Sequence, residues 1–183
     1  MKCQLFPPLE PIQKGFLHLG EEHQMYWQAS GNPRGEPVVW LHGGPGSSAS
    51  PMHRRLFDPE KFYIVQYDQR GCGLSTPKGA INANTTDDLI KDIERLREHL
   101  EVSTWHVAGG SWGGSLGLIY AQSHAHIITK FCCAVHFCVL IQKLNATPNF
   151  HRQHVVKDGK IYINFYRQIN LKPFLNTVIE FFV

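Results

Sequence analysis

Residues 107–118 read VAGGSWGGSLGL, with a single serine-tryptophan pair, Ser111 and Trp112, between Gly109-Gly110 and Gly113-Gly114. Upstream, TWHVAGG is apolar and β-branched enough for a buried strand; downstream, WGGSLGLIYAQSHA is apolar enough for a buried helix. Residues 109–113 satisfy Gly-x-Ser-x-Gly at that strand-to-helix junction. A nucleophile raised on so sharp a turn takes a strained backbone conformation, and side chains beside it would collide with the strand and helix unless absent. The helix beginning at Trp112 also turns its unpaired N–H groups and positive dipole end toward any negative charge that forms at the hydroxyl. The same glycines would serve a phosphate-binding turn or mere close packing. A phosphate loop wants a lysine, however, and neither GGSWGGS nor the second glycine loop, HGGPGSS, contains one.

That second loop, His42-Gly43-Gly44-Pro45-Gly46, follows the apolar run PVVWL. Acyl transfer through a serine builds negative charge on the former carbonyl oxygen, which needs two preorganised donors worth roughly 3–4 kcal/mol each. The Trp112 N–H is one candidate, and the N–H of Gly44 is the other, since a glycine backbone approaches a substrate closely. His42 precedes the serine and reads as a hydrogen-bonding residue that orients the loop rather than as a general base.

Outward from these loops, GFLHLG and HQMYWQASG read as a hairpin, PVVWLHG as a strand buried on both faces, PMHRRLF as a short helix and FYIVQYD as another buried strand. NTTDDLIKDIERLREHLEV carries Leu89, Ile93, Leu96 and Leu100 at helical spacing, with Thr85 and Asp88 placed for an N-terminal cap. IITKFCCAV reads as a further core strand. The alternation predicts an α/β fold, an open and mostly parallel sheet with flanking helices, whose ligands bind beyond the carboxyl ends of the strands. HGGPGSS, DQRGCGLS and GGSWGG all begin at such ends.

The 183 residues, 43% hydrophobic and 18% charged, suit one globular domain. A net charge of +3 is too mild to argue for nucleic acid or a membrane surface as partner. MKCQLFPPLEPIQKG lacks the apolar core of a secretory signal, and FCCAVHFCVLI is too short to span a bilayer. A cytoplasmic protein with reduced thiols is expected, five cysteines in no regular spacing being no disulfide framework. His151 and His154 would share a helix face, but nothing beside them completes a metal site. No metal or cofactor is expected.

VVWLHGGPGSS, YDQRGCGLS, NTTDDLIKDIERLREHL and WHVAGGSWGGSLGLIYAQSH, in that order, closely resemble the proline iminopeptidases (prolyl aminopeptidases), serine peptidases of the α/β-hydrolase fold. The likeness covers about residues 5–124. It implies that Ser111 is the nucleophile, that Gly44 and Trp112 carry the oxyanion-hole amides with Gly43, Pro45, Gly46, Gly110 and Gly113 as supporting loop, and that the substrate is a peptide beginning with proline. Asp68 and Arg70 of DQRGCG are read as structural. An esterase of the same fold is the near alternative, and a non-catalytic fragment or interaction protein the more distant one.

A serine needs a base, itself oriented by an acid, and in this fold both follow the nucleophile in the order acid then histidine. After Ser111 the only acids are Asp158 and Glu180, and every later histidine (His124, His126, His136, His151, His154) precedes both. Residues 1–124 therefore read as the first part of a hydrolase domain. Residues 125–183 read as a divergent tail, with one further core strand and then no assignable structure, as in a truncated or mis-spliced product that stops before the cap and the last strands. An unpaired apolar sheet edge is expected after FCCAVHFCVLI unless the tail covers it.

Overall fold

In the computed structural model, residues 5–20, 22–134, 150–157, 160–167 and 179–180 are described, with side chains as far as Cys132. β1 (Pro11–His18) and β2 (Gln24–Gly31) pair antiparallel as the expected hairpin. β3 (Glu36–Leu41), β4 (Phe62–Tyr67), β5 (Trp105–Gly110) and β6 (Ile128–Ala134) form the parallel part of the sheet. The strand order is β1-β2-β4-β3-β5-β6-β9, with β9 at Ile179–Glu180. The chain runs outward from β3 to β4, then crosses back past β3 to reach β5. The order thus reverses between β3 and β5, and such a switch point opens a crevice at the carboxyl ends of the two strands.

Alternation along the strands divides the sheet into two apolar faces. Val39, Leu41, Val65, Tyr67 and Val107 point to one face, where Leu89, Ile93 and Leu96 of α2 (Thr86–His99) and Leu116, Leu118 and Tyr120 of α3 (Trp112–Ser123) cover them. Val38, Trp40, Ile64 and Ala108 point to the other, packed by Phe57 and Phe62. Near it lies the short α1 (Pro51–Arg54), whose His53 stacks on Trp40.

The cap read at Thr85 is formed: its hydroxyl accepts from the Asp88 N–H while the Asp88 carboxylate accepts from the Thr85 N–H. Leu100 falls one residue beyond the helix, at its C-cap. There Glu101 takes φ 55°, with Val102 N donating to Arg97 O and Glu101 N to Glu98 O, the paired bonds of a Schellman motif. Glycine is the usual residue in that left-handed position. Glu101→Gly is therefore expected to raise stability by about 1 kcal/mol, read as an upward shift of the urea midpoint at unchanged slope.

Two expectations for the tail are revised. His151 and His154 fall in β7 (Phe150–Lys157), which pairs antiparallel with β8 (Lys160–Arg167), so the shared helix face on which a metal reading rested is not formed. The edge of β6 is paired over two residues, Phe131 with Ile179 and Cys132 with Glu180. His136 and Asp158 lie outside the described residues. Among the described residues no helix is long and apolar enough to cross a membrane, and no group of three or more His, Cys, Asp or Glu side chains converges.

Candidate active site

Ser111 stands where β5 ends and α3 begins, with φ 54° and ψ −122°. A non-glycine residue held there costs on the order of 1–3 kcal/mol, which the surrounding packing must sustain. Serine at a helix N-cap ordinarily spends its hydroxyl on an N–H of the first turn. Ser111 makes no such bond and is exposed. The hydroxyl is left available at the mouth of the switch-point crevice.

The glycines supply the clearance that this turn needs. A Cβ on Gly113 would lie 2.0 Å from the Leu41 carbonyl oxygen, and one on Gly109 would lie 2.6 Å from the Gly113 backbone. The cause is register: Leu41 pairs with Gly109, so the end of β3 runs beside the start of α3. The same register lays the HGGPG loop against the turn, where a Cβ on Gly43 would meet Gly110 O at 3.1 Å and Ser111 Cβ at 3.4 Å. Gly44 follows at φ 118°, then a cis bond to Pro45, then Gly46 at φ 95°. Among the described residues, neither the Gly44 nor the Trp112 N–H has an acceptor. At Trp112 this follows from its place in the first helical turn, where no carbonyl of the preceding turn exists to accept.

His42 is fully buried, and both its ring nitrogens are engaged. Nε2 accepts from the Gln69 N–H at 3.0 Å, which fixes the proton on Nδ1, and Nδ1 donates to Gly43 O at 2.8 Å. Burial pushes its pKa down, so it stays neutral. This is the bonding of a loop-orienting residue. Asp68, also buried, accepts from Ala49 N at 2.7 Å and Leu74 N at 2.8 Å, pinning the far end of the glycine loop to the DQRGCGLS loop. Arg70 binds Asp92 of α2 through two bonds of 2.6 and 2.8 Å. Cys72 is buried beneath the same loops, and burial raises its thiol pKa, which makes it a poor nucleophile.

Among the residues whose side chains are described, no histidine hydrogen-bonds the Ser111 hydroxyl. The one histidine–carboxylate pair among the described residues, His106 with Glu36 at 2.7 Å, sits at the amino ends of β5 and β3. Four strand residues lie between His106 and Ser111, a rise of roughly 17 Å over about five residue steps. His124 follows the last turn of α3, a helix of 12 residues, which puts it about 18 Å from the serine. Gln69 is the residue that sequence reading passed over. Between an acid and a base in a polar loop it gives no periodic signal, and its bonds depend on three loops meeting.

The profile of the alpha/beta hydrolase fold matches residues 36–169. The chain belongs to the alpha/beta hydrolase fold family. Proline iminopeptidase of Arabidopsis thaliana is 52% identical over 128 residues, spanning 70% of this chain and 34% of that protein. That of Neisseria meningitidis is 54% identical over 115 residues, spanning 63% and 37%. This hydrolase-fold chain thus covers about a third of the length of those relatives. The crystal structure of a proline iminopeptidase-related protein from Thermus thermophilus superposes with a TM-score of 0.60 at 27% identity, over 67% of this chain and 44% of that one. An epoxide hydrolase from Vigna radiata gives 0.59 at 23%, over 70% and 40%, a likeness of fold alone.

Proposed function

We propose that Ser111 is an acyl-accepting nucleophile, that the Gly44 and Trp112 amides receive the oxyanion, and that the whole protein to which this sequence corresponds releases N-terminal proline from peptides. The observation that carries the reading is the exposed N-cap serine which, at a strained φ, caps nothing. The relatives named proline iminopeptidases support the choice of leaving residue.

In that reaction the hydroxyl oxygen attacks the prolyl carbonyl, its proton passes to a base, the amine departs with a proton, and water then hydrolyses the ester. The 183 residues contain no acid followed by a histidine after Ser111. His42 is occupied at both nitrogens. Cleavage of an anilide by this chain alone is therefore expected to stay at the buffer rate. An activated ester with an external base bypasses that gap.

Incubation with the 4-nitrophenyl ester of proline, with imidazole supplied as base, should place one prolyl group on the peptide containing Ser111. Intact and peptide mass spectrometry read the adduct, and Ser111→Ala should lose it. Equal acylation of exposed Ser47, or none at Ser111, would overturn the reading in favour of a non-catalytic protein.

A further inference from the structure

Gln69 is 2% exposed and touches both halves of the proposed oxyanion site. Its Oε1 accepts from the Trp112 indole Nε1–H at 3.1 Å, and its Nε2 donates to the His42 carbonyl oxygen at 3.0 Å. The orientation of the amide has one solution, because an indole N–H only donates and a carbonyl oxygen only accepts. The Gln69 main chain adds a third bond, from its N–H to His42 Nε2 at 3.0 Å. His42 in turn holds Gly43 O through Nδ1, one residue before Gly44. One buried side chain therefore ties the residue that opens α3 to the residue that opens the glycine loop.

We infer that Gln69 is a positioning residue that sets the spacing of the Gly44 and Trp112 amides by bridging the Trp112 indole to the His42 carbonyl. The inference rests on the nucleophile reading of Ser111. Its physical basis is that the two amides belong to separate loops with no main-chain hydrogen bond between those loops among the described residues, so their separation is set by the packing and the side-chain hydrogen bonds that join the two. The β3–β5 register brings the loops together, but the last paired residues are Leu41 and Gly109, one and three positions before His42 and Trp112. Beyond that point Gly43 lies against Gly110 and Ser111, and the Gln69 amide is the hydrogen-bonded cross-link. Oxyanion stabilisation falls steeply with misplacement: a shift of about 1 Å can cost on the order of 100-fold in rate, and loss of one donor costs about 10²–10³.

The test measures the rate of Ser111 acylation by the activated prolyl ester in the full chain. Gln69→Met, similar in length and unable to make either bond, should slow acylation about 10- to 100-fold. Gln69→Glu keeps the acceptor for the indole and replaces the donor by a carboxylate facing the His42 oxygen; it should slow acylation to a similar extent even if the methionine variant folds poorly. Because Gln69 acts through the indole, Trp112→Phe should be non-additive with Gln69→Met: the double variant should be no slower than about the slower single one, whereas a general loss of stability would multiply the two effects. The indole N–H resonance of Trp112 should also move in Gln69→Met. Selective acylation of the parent with unchanged rates in both Gln69 variants, or additive effects in the cycle, overturns the inference and leaves the nucleophile reading standing. Absence of Ser111-selective acylation in the parent overturns that reading, and the inference with it.

Discussion

Gly113→Ala should cost about 3 kcal/mol or more of stability and should abolish selective acylation of Ser111. The added methyl would lie 2.0 Å from Leu41 O and 2.7 Å from His42 O. Both neighbours are main-chain atoms, and those of Leu41 are fixed by pairing with Gly109. A flexible side chain would swing away; a carbonyl in a central strand takes the strand with it. Relief therefore requires α3 to lift from the sheet, which carries the Trp112 amide off and relaxes the φ of Ser111. Urea denaturation gives the stability and mass spectrometry the adduct. A variant that folds and acylates like the parent would mean that α3 starts further from β3 than the structure places it.

Arg70→Met should destabilise by about 3 kcal/mol, because the buried Asp92 carboxylate loses both of its close hydrogen bonds to Arg70 and keeps only the more distant Arg95 at 3.7 Å. Asp92 is 1% exposed, and Arg70 meets both of its oxygens. Burial already raises the Asp92 pKa, against the lowering effect of Arg70. Without the guanidinium that rise grows. A carboxyl whose pKa is higher folded than unfolded contributes stability at low pH that is lost as pH climbs through the folded value. The deficit of Arg70→Met should accordingly be largest near neutrality and shrink on acidification, as Asp92 takes up a proton. Adding Asp92→Leu should recover most of it, since an apolar pair of similar volume removes the poorly compensated buried charge. Denaturation of the single and double variants at neutral and acidic pH decides this, and a deficit independent of pH would count against it.

Asp92 carries its own signal in the sequence. Residues 89, 92, 93 and 96 all lie on one helical stripe, and three of them are the apolar residues that define it. A carboxylate on that stripe must go inward and needs a cation. Arg70 is that cation, but naming it required knowing that the loop after β4 passes beneath α2. Glu101 is similar: its left-handed conformation leaves no mark in the sequence because glutamate rather than glycine occupies it.

The sequence by itself determined what rests on neighbours within a few residues: the strand–glycine–serine–helix turn, the Thr85–Asp88 cap, the hairpin, and the alternation that makes the sheet parallel. It also determined, by order alone, that no acid-then-histidine pair follows Ser111 within these 183 residues. The tertiary structure decided everything that depends on which distant segments meet. It placed Gly43 against Ser111, engaged both nitrogens of His42, and set His106 and Glu36 at the wrong end of the strands. It also joined two loops through Gln69. Local preferences act over one or two turns of chain, whereas these contacts follow from the register of β3 with β5, which is settled only when the two faces of the sheet are buried together.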